Sequence, residues 1–203
     1  MKIVHIQASM PPSGNAAYRL STIMRNYGLD SYVLNLMPSF KKDNAYVNVA
    51  KRGRIFGKIV DYGITDANNM GAAMAPAFAD TLVTHFLDTG RNPSYYDAII
   101  SGDLGYIGKD IAIDILRSQG YNIRSNYNDC GVLIFDKSEQ DTHSGGSGCG
   151  CCGSVFSGYF FKQLRDKKIK KMLLIATGAL MNSTSSQQGE SIPGIAHAIS
   201  IEV

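Results

Sequence analysis

The segment Tyr96-Asp-Ala-Ile-Ile-Ser-Gly-Asp-Leu-Gly105 decides the fold class of this chain. Its apolar residues 98–100 predict a short buried strand, and the stretch Ser101–Gly105 predicts a turn. A helix is predicted next, over Ile107–Gln119, and it ends at Gly120. Because a strand that passes directly into a helix is the repeating unit of α/β proteins, we predict an α/β fold.

Asp103 stands in the turn between this strand and this helix. Loops at the carboxyl ends of strands are where α/β sheets place ligands, which makes Asp103 a candidate binding residue. The alternative is that Asp103 caps the helix over Ile107–Gln119 and has a purely structural role.

The alternation of strands and helices extends from this segment in both directions. Strands are predicted over Lys2–Gln7, Tyr32–Leu36, Val132–Phe135, Lys171–Ala176 and Ile195–Ile201, and helices over Ala16–Tyr27, Gly71–Leu87 and Val155–Leu164. The first strands and the first helix form a β-α-β opening of the Rossmann kind, which strengthens the α/β prediction.

Composition excludes several classes of protein. With 44% hydrophobic and 18% charged residues, the 203-residue chain is neither disordered nor fibrous, and it can bury a core as one domain or two small ones. It contains no apolar run near the roughly 18 residues of a membrane span. Residues 1–5 become polar too early for a signal peptide. A net charge of +3 is too small to indicate nucleic-acid binding.

Charge is distributed unevenly along the chain. Residues 1–54 hold eight basic and two acidic residues, a net charge of +6, whereas residues 55–203 carry a net charge of −3. This break predicts two segments, 1–54 and 55–203, joined by the basic, polar connector Pro38–Arg54. The alternative is a basic patch on a single fold.

The glycine-rich segment Ser144–Gly153 is the sharpest local feature of the sequence. Its glycines let the backbone turn tightly and approach a ligand, and the predicted helix that follows would direct free N–H groups at an anion. We therefore predict that Ser147, Gly148, Cys149, Gly150 and Cys151, with Asp103 beside them, bind a small acidic molecule. The alternative is that the glycines only allow a helix and a sheet to pack closely.

The sequence contains four cysteines, and three of them lie in Cys149-Gly-Cys151-Cys152. Four cysteines are too few for a disulfide scaffold, and these three are too close together to pair without strain, which indicates a reducing compartment. Zinc would need further ligands, which only Cys130 and His143 could supply, so we predict no metal site. A nucleophilic cysteine would need a base such as His143 or His197.

Several ordered motifs follow a known pattern. They are Gly57-Lys-Ile-Val-Asp-Tyr-Gly63, Asn69-Met-Gly-Ala-Ala-Met-Ala-Pro76, residues 96–105, Asp129-Cys-Gly131, Gly145-Gly-Ser-Gly-Cys-Gly150, Ala176-Thr-Gly-Ala-Leu180 and the segment from Gln187 to His197. Over about 57–203 the chain thus resembles the carboxyl-terminal half of the stage V sporulation protein AD family. The resemblance implies a thiolase-like fold and a role in moving dipicolinic acid into the forespore.

The resemblance also implies that catalysis is absent. Thiolase-like acyltransferases take two His or Asn groups from the carboxyl half and a nucleophilic Cys from the amino half. Here the corresponding positions read Gly102-Asp103 and Ser147-Gly148-Cys149, and the Cys-bearing half is missing. Backbone N–H groups alone would remain to stabilise an oxyanion. We therefore expect a binding protein without catalytic residues or cofactor.

The first 40 residues resemble a different family, the start of a bacterial glycosyltransferase built from two Rossmann domains. The resemblance rests on Met1-Lys-Ile-Val-His-Ile6, Gly14-Asn-Ala-Ala-Tyr-Arg-Leu20 and Gly28-Leu-Asp-Ser-Tyr-Val-Leu34. It supplies the rival hypothesis, in which the chain is a truncated acceptor domain whose Pro12–Asn15 loop meets a sugar or nucleotide.

Partners and location follow from the sporulation resemblance. The expected ligand is dipicolinate, alone or with calcium, and the expected protein partners are other stage V sporulation proteins and a second copy of the chain. We expect no nucleic acid, contact with the membrane only through partners, and a cytoplasmic location in the forespore, associated with the inner spore membrane.

Overall fold

The computed structural model describes the backbone of residues 2–7, 30–35 and 46–48, and then residues 59–146 and 148–203. The chain divides into two compact units, one of residues 1–56 with 201–203 and one of residues 57–200. The division predicted at residue 54 stays a prediction, because most of the connector lies outside the described residues.

The first unit contains a parallel three-stranded sheet. Its strands are β1 (Lys2–Gln7), β2 (Asp30–Asn35) and β3 (Tyr46–Asn48), in the order β1-β2-β3. Lys2 pairs with Asp30 in the first ladder and Val33 with Tyr46 in the second. The first two strands match the sequence prediction. The helix expected over Ala16–Tyr27 lies outside the described residues, so the Rossmann-like assignment stays a prediction.

The second unit begins with its longest helix, α1 (Met70–Thr89), which a single 3-10 turn precedes. The Asp66 side chain accepts a hydrogen bond from the Asn68 N–H and so starts this turn. Gly90 ends α1 in the left-handed conformation, with φ 66°, which glycine adopts without strain. Most residues from Gly71 to Ala79 are small and buried, which lets the backbone of neighbouring elements approach the helix closely.

The central sheet has four strands in the order β5-β4-β6-β7. The fully buried strand β4 (Ala98–Ser101) pairs in parallel with β5 (Tyr127–Asp129) on one side and β6 (Lys171–Ala179) on the other. The helix α2 (Gly105–Ser118) follows β4 after a three-residue turn. The fold-deciding segment thus forms the strand, turn and helix that its sequence predicts.

One predicted strand is wrong. Residues 132–135 do not form a strand; β5 lies upstream of them and passes directly into the single helical turn α3 (Cys130–Leu133). The reason is local, because the Asp129 side chain accepts a hydrogen bond from the Val132 N–H and caps the turn. The apolar run Val132–Phe135 is therefore helical at its start, which its β-branched and aromatic composition does not predict.

A helical run over residues 151–165 has an interruption in its middle. It consists of α4 (Cys151–Val155), a π-helical segment (Phe156–Phe160) and α5 (Phe161–Arg165). The helix predicted over Val155–Leu164 therefore starts one turn earlier than expected, inside the glycine-rich segment. Single π turns inside α-helices are uncommon and occur often near functional sites.

The chain ends in β6, α6 (Ser183–Gln187) and β7 (Gly194–Glu202). The Leu180 N–H donates to the Pro193 carbonyl, and Gly178 faces Ile195, so residue numbers fall along β7 as they rise along β6. The two strands are therefore antiparallel, and the sheet is mixed. The predicted α/β class is confirmed in this general form.

The hydrophobic core lies between the sheet and the two long helices. Its largest buried members come from α1, α2 and the inner strands: Phe78, Leu82, Leu116, Ile99, Leu173 and Ile175. Phe78 stacks on Tyr127 with ring centroids 5.2 Å apart, which joins α1 to β5. Within the described part of the chain, no helix combines the length and the apolarity needed to cross a bilayer.

Substitution of Gly71 tests how closely α1 packs. A Cβ at Gly71 would lie 1.9 Å from the Leu104 carbonyl oxygen, which is backbone and cannot move aside. We expect Gly71→Ala to lower the free energy of unfolding by about 3 kcal/mol, although alanine favours helix formation. Gly153→Ala, on α4 with nothing within 4 Å of the added Cβ, is the control and should stabilise by up to about 1 kcal/mol. Urea unfolding measures the stability of both variants. Equal changes in the free energy of unfolding would contradict the close packing of α1 against Leu104.

Candidate functional site

The candidate site lies at the carboxyl ends of the three parallel strands β5, β4 and β6. The turn after β4 carries Asp103, the end of β5 carries Asp129, and β6 contributes Thr177. Carboxyl ends of parallel strands meet at one edge of a sheet, and ligands of α/β proteins bind there. The sequence prediction placed Asp103 at such an edge, and the structure agrees.

Asp103 connects this edge to the glycine-rich segment. Its Oδ2 accepts a hydrogen bond from the Gly148 N–H at 3.0 Å, and its Oδ1 accepts one from the Thr177 hydroxyl at 2.6 Å. The predicted neighbourhood of Asp103 and Gly148 is therefore confirmed. The alternative role of Asp103 as a helix cap is wrong, because α2 begins without a side-chain cap from that residue.

Asp129, and not Asp103, caps α2, and the sequence analysis did not identify it as a site residue. Its fully buried carboxylate accepts hydrogen bonds from the N–H groups of Leu104 and Gly105 at the start of α2, at 2.8 and 2.9 Å. It also accepts from the Ser101 hydroxyl at 2.5 Å and the Val132 N–H at 3.2 Å. One carboxylate thus caps two helical segments. The available signal was the motif Asp129-Cys-Gly131, in which an acidic residue directly precedes Cys130 and Gly131.

Burial governs the ionisation of Asp129. Desolvation raises the pKa of this carboxyl above its ordinary value, although its four hydrogen-bond donors act in the opposite direction. The Ser101 hydroxyl also contacts the Tyr127 hydroxyl at 2.8 Å, and burial raises the pKa of that phenol well above 10. The start of α2 is therefore already occupied by a protein carboxylate and is closed to an external anion.

The glycines of the loop fall into two groups. Gly145 and Gly146 pack against backbone and side chains: a Cβ at Gly145 would lie 3.0 Å from the Gly131 oxygen, and one at Gly146 2.7 Å from Phe135. Close packing accounts for these two glycines, although their neighbours lie on α2, α3 and the turn after α3 rather than on the sheet. Gly148, by contrast, has open space around it and a φ of 131°, a conformation that favours glycine.

The predicted binding residues beyond Gly148 lie where the loop becomes a helix. Cys149 and Gly150 are exposed, Gly150 flanks the start of α4, and the first residue of the helix, Cys151, is buried. Open space surrounds Gly150 as well. Ser147 lies outside the described residues.

The thiols differ sharply in environment. Burial, together with the charges of Asp103 and Asp129, raises the pKa of Cys151 to about 11. Interaction with the Cys152 thiol, together with burial, raises the pKa of Cys130 far above its usual range, and interaction with Cys130 lowers the pKa of Cys152. All four cysteines are free thiols.

Metal ligation finds no geometric support in the described residues. Among them no group of three or more His, Cys, Asp or Glu side chains is arranged to hold an ion. Cys130 is buried, whereas His143 is exposed and its Nδ1 lies 3.5 Å from Asp141 Oδ1.

The second unit also contains an apolar groove. Its volume is about 320 Å³, and it runs between α3 and the π-helical segment. The lining residues are Leu133, Ile134, Ser154, Val155, Gly158 and Tyr159. Three of them, Leu133, Ile134 and Tyr159, are large apolar side chains that remain exposed.

Comparison with known proteins identifies the family. A family model described as Stage V sporulation protein AD (SpoVAD) matches residues 39–202, which is most of the chain. The chain belongs to the Stage V sporulation protein AD family. The resemblance read from the sequence is therefore confirmed, and the match begins before Gly57, inside the polar connector.

A curated relative agrees with this assignment. Stage V sporulation protein AD of Bacillus subtilis (strain 168) is 47% identical over 146 residues, which cover 72% of this chain. The matched region is 43% of the relative's length, so this member of the SpoVAD family spans less than half of the curated relative. The glycosyltransferase resemblance of the first 40 residues gains no support from these comparisons.

Substitution of Asp129 tests the capping carboxylate. In Asp129→Asn the amide oxygen can accept from Gly105 and Val132, but the NH₂ group then opposes the Leu104 N–H and leaves that donor without an acceptor. We expect a loss of about 1–3 kcal/mol in the free energy of unfolding, measured by urea denaturation. Asp114→Asn, an exposed carboxylate on α2, is the matched control and should change stability by less than about 0.5 kcal/mol. Equal losses would show that Asp129 is not a buried cap.

Proposed function

We propose that this SpoVAD-family chain is a thiolase-like protein that binds dipicolinate and serves its uptake into the forespore, without catalysing acyl transfer. Family membership supports the sporulation setting. The mixed sheet, with α1 and α2 packed on one face, is compatible with a thiolase-like half. We also propose that it pairs with a second copy and with other stage V sporulation proteins.

The environment of Cys151 is the observation that supports a non-catalytic role. A nucleophilic cysteine at a helix start normally has a lowered pKa, because the thiolate is the reactive form. Here burial and two carboxylates raise the pKa of Cys151 to about 11, so the thiol is protonated at neutral pH. Asp103 and Asp129 in turn hold backbone N–H groups and are not placed as free bases.

The ligand would lie over the exposed part of the loop. Gly148 and Gly150 leave open space above the backbone, and the start of α4 adds a small positive charge. The Gly148 N–H already donates to Asp103, so this amide is shared with a protein carboxylate. A small planar acid would approach the segment from Cys149 to Cys151, with the carboxylate of Asp103 directly behind it.

That carboxylate determines which form of dipicolinate fits. Asp103 and Asp129 create a negative field that reaches the thiols of both Cys151 and Cys152. A dianionic ligand would be repelled by this field, whereas a calcium chelate of dipicolinate carries its charge already neutralised. We therefore propose that the ligand is calcium-bound dipicolinate.

Charge separation supports the proposed location. The segment Lys162–Lys171 contains six of the twelve basic residues of 55–203 and one acidic residue, and most of its basic side chains are exposed. It precedes and begins β6, so it lies at the edge of the sheet opposite Asp103. We propose that this basic edge faces an acidic partner protein at the inner spore membrane of the forespore, and that the membrane is contacted through that partner.

Isothermal titration calorimetry tests the ligand. We expect dipicolinate with equimolar calcium to bind about tenfold more tightly than dipicolinate with a calcium chelator, because the chelate avoids the negative field. In Asp103→Asn, where the Thr177 hydroxyl can rotate to accept from the new NH₂ group, free dipicolinate should bind about tenfold more tightly and the calcium advantage should vanish. Asp114→Asn is the control for a distant charge. Absence of heat with either form would overturn the proposal, as would steady turnover of acyl-coenzyme A.

Gly148 provides a test of the site itself. We expect Gly148→Val to abolish binding of calcium dipicolinate, because the added side chain fills the open space above the loop. Gly153→Val introduces the same bulk at an equally open position on α4 and should retain affinity within about twofold. Thermal melts must accompany both variants, since the φ of 131° at Gly148 makes valine strained there. Equal retention of binding in both variants would place the ligand elsewhere.

A further inference from the structure

A polar pocket of about 300 Å³ lies at the end of α2 that is farther from the candidate site. Asp129 caps the start of α2, and the 14 residues of this helix span about 20 Å, so the two places are well separated. The pocket takes no part in the function proposed above. Its lining residues are Ile113, Arg117, Gly120, Tyr121, Asn122 and Arg124.

Hydrogen bonds at the end of α2 fix the chain that forms one side of the pocket. The Gly120 N–H donates to the Arg117 carbonyl at 3.1 Å. The Tyr121 N–H donates to the Leu116 carbonyl at 2.9 Å. These two bonds form a Schellman motif, which Gly120 permits because its φ of 87° is in the left-handed region. Two carbonyls at the helix end are thus occupied by donors, which weakens their repulsion of an anion.

The turn that follows is tied to the core. Ile123, directly before Arg124, is fully buried, and the Asn122 side-chain oxygen accepts a hydrogen bond from the Arg124 N–H at 3.2 Å. The ring of Tyr121 packs on Phe86 of α1, with the ring centroids 5.4 Å apart. The backbone that carries the second arginine is therefore held in place by burial and hydrogen bonding.

Both arginines of the pocket are available to a ligand. Neither Arg117 nor Arg124 forms an ion pair with a carboxylate of the described part of the chain. Asp114, three residues before Arg117 on the same helix, is exposed and is not paired with it. Two cations around one concave pocket repel each other, and an anion bound between them would remove this repulsion. Asn122 and Tyr121 add neutral donor groups to the lining.

We propose that this pocket binds the phosphate group of a small phosphate monoester, with Arg117 and Arg124 as the charged partners. A phosphate dianion carries two negative charges, which two guanidinium groups balance, and its three terminal oxygens accept from both planar forks at once. A single carboxylate offers one charge and two oxygens, which one guanidinium satisfies. Ile113 and the ring of Tyr121 supply apolar surface for the remainder of the ligand.

Calorimetric titration of the full chain with phenyl phosphate tests the class of ligand. Phenyl sulfate is the matched compound, because it has nearly the same shape and a single negative charge. We expect phenyl phosphate to bind about tenfold more tightly than phenyl sulfate at pH 7.5. Acidification to pH 5 should remove most of this difference, because the second phosphate pKa is about 6 and arginine stays charged. Absence of heat with phenyl phosphate, or equal affinity for the two compounds at pH 7.5, would overturn the proposal.

Arginine variants test the pocket. Both arginines are exposed, so their replacement should leave the chain folded, which thermal melts verify. Arg117→Gln and Arg124→Gln should each weaken binding of phenyl phosphate about tenfold. Arg117→Lys should weaken it about threefold, because the charge remains and the planar fork is lost.

Lys137→Gln is the control for net charge. It removes one positive charge at an exposed position outside the pocket and should keep the affinity for phenyl phosphate within about twofold. A loss in Lys137→Gln equal to that in Arg117→Gln would show a general effect of charge and would contradict a defined site.

Dipicolinate separates this pocket from the site proposed above. Saturation with calcium dipicolinate should leave the affinity for phenyl phosphate unchanged within about twofold, because the two sites lie at opposite ends of α2. Displacement of phenyl phosphate by dipicolinate would assign the pocket to dicarboxylates and overturn the phosphate proposal. Normal binding of phenyl phosphate without any heat from dipicolinate would support the pocket and overturn only the function proposed above.

Discussion

The carboxylate of Asp129 accepts four hydrogen bonds inside the protein, and the arrangement of the candidate site depends on it. Its donors come from the end of β4, the turn after β4, the start of α2 and α3. Removing a buried carboxylate from water is costly, and only several donors together offset that cost. The four donors bring the chain segments after β4 and β5 to one place, which positions Asp103 on one side and Cys130 on the other.

Close approach of backbone to backbone is the second constraint. At Gly71, Gly105 and Gly131 an added Cβ would lie about 2 Å from a carbonyl oxygen of another segment. These contacts bring α1 against the turn after β4, and the glycine-rich loop against both α2 and α3. Each glycine lowers intrinsic helix or loop stability slightly, and the packing that it permits offsets this loss.

Charge and thiol chemistry at the site follow from these two constraints. Asp129 occupies the start of α2 and Asp103 binds the Gly148 amide, so the edge is negative, and these charges help to raise the pKa of Cys151. The same edge carries Cys130 at the start of α3, which packs on α4. The charge of the site and the raised pKa of Cys151 therefore have a common origin in the carboxyl edge of the sheet.

The sequence by itself determined the α/β class, most elements of the second unit, the family and the neighbourhood of Asp103 and the glycine-rich segment. Local patterns suffice for these, because strand alternation, helix periodicity and glycine turns are short-range properties. It did not predict that Asp129 rather than Asp103 caps α2, or that residues 130–133 form a helical turn. The cap joins Asp129 to backbone N–H groups 24 and 25 positions away, and the same carboxylate starts the helical turn. Hydrogen bonding and burial in the folded chain alone decide which donors this carboxylate meets.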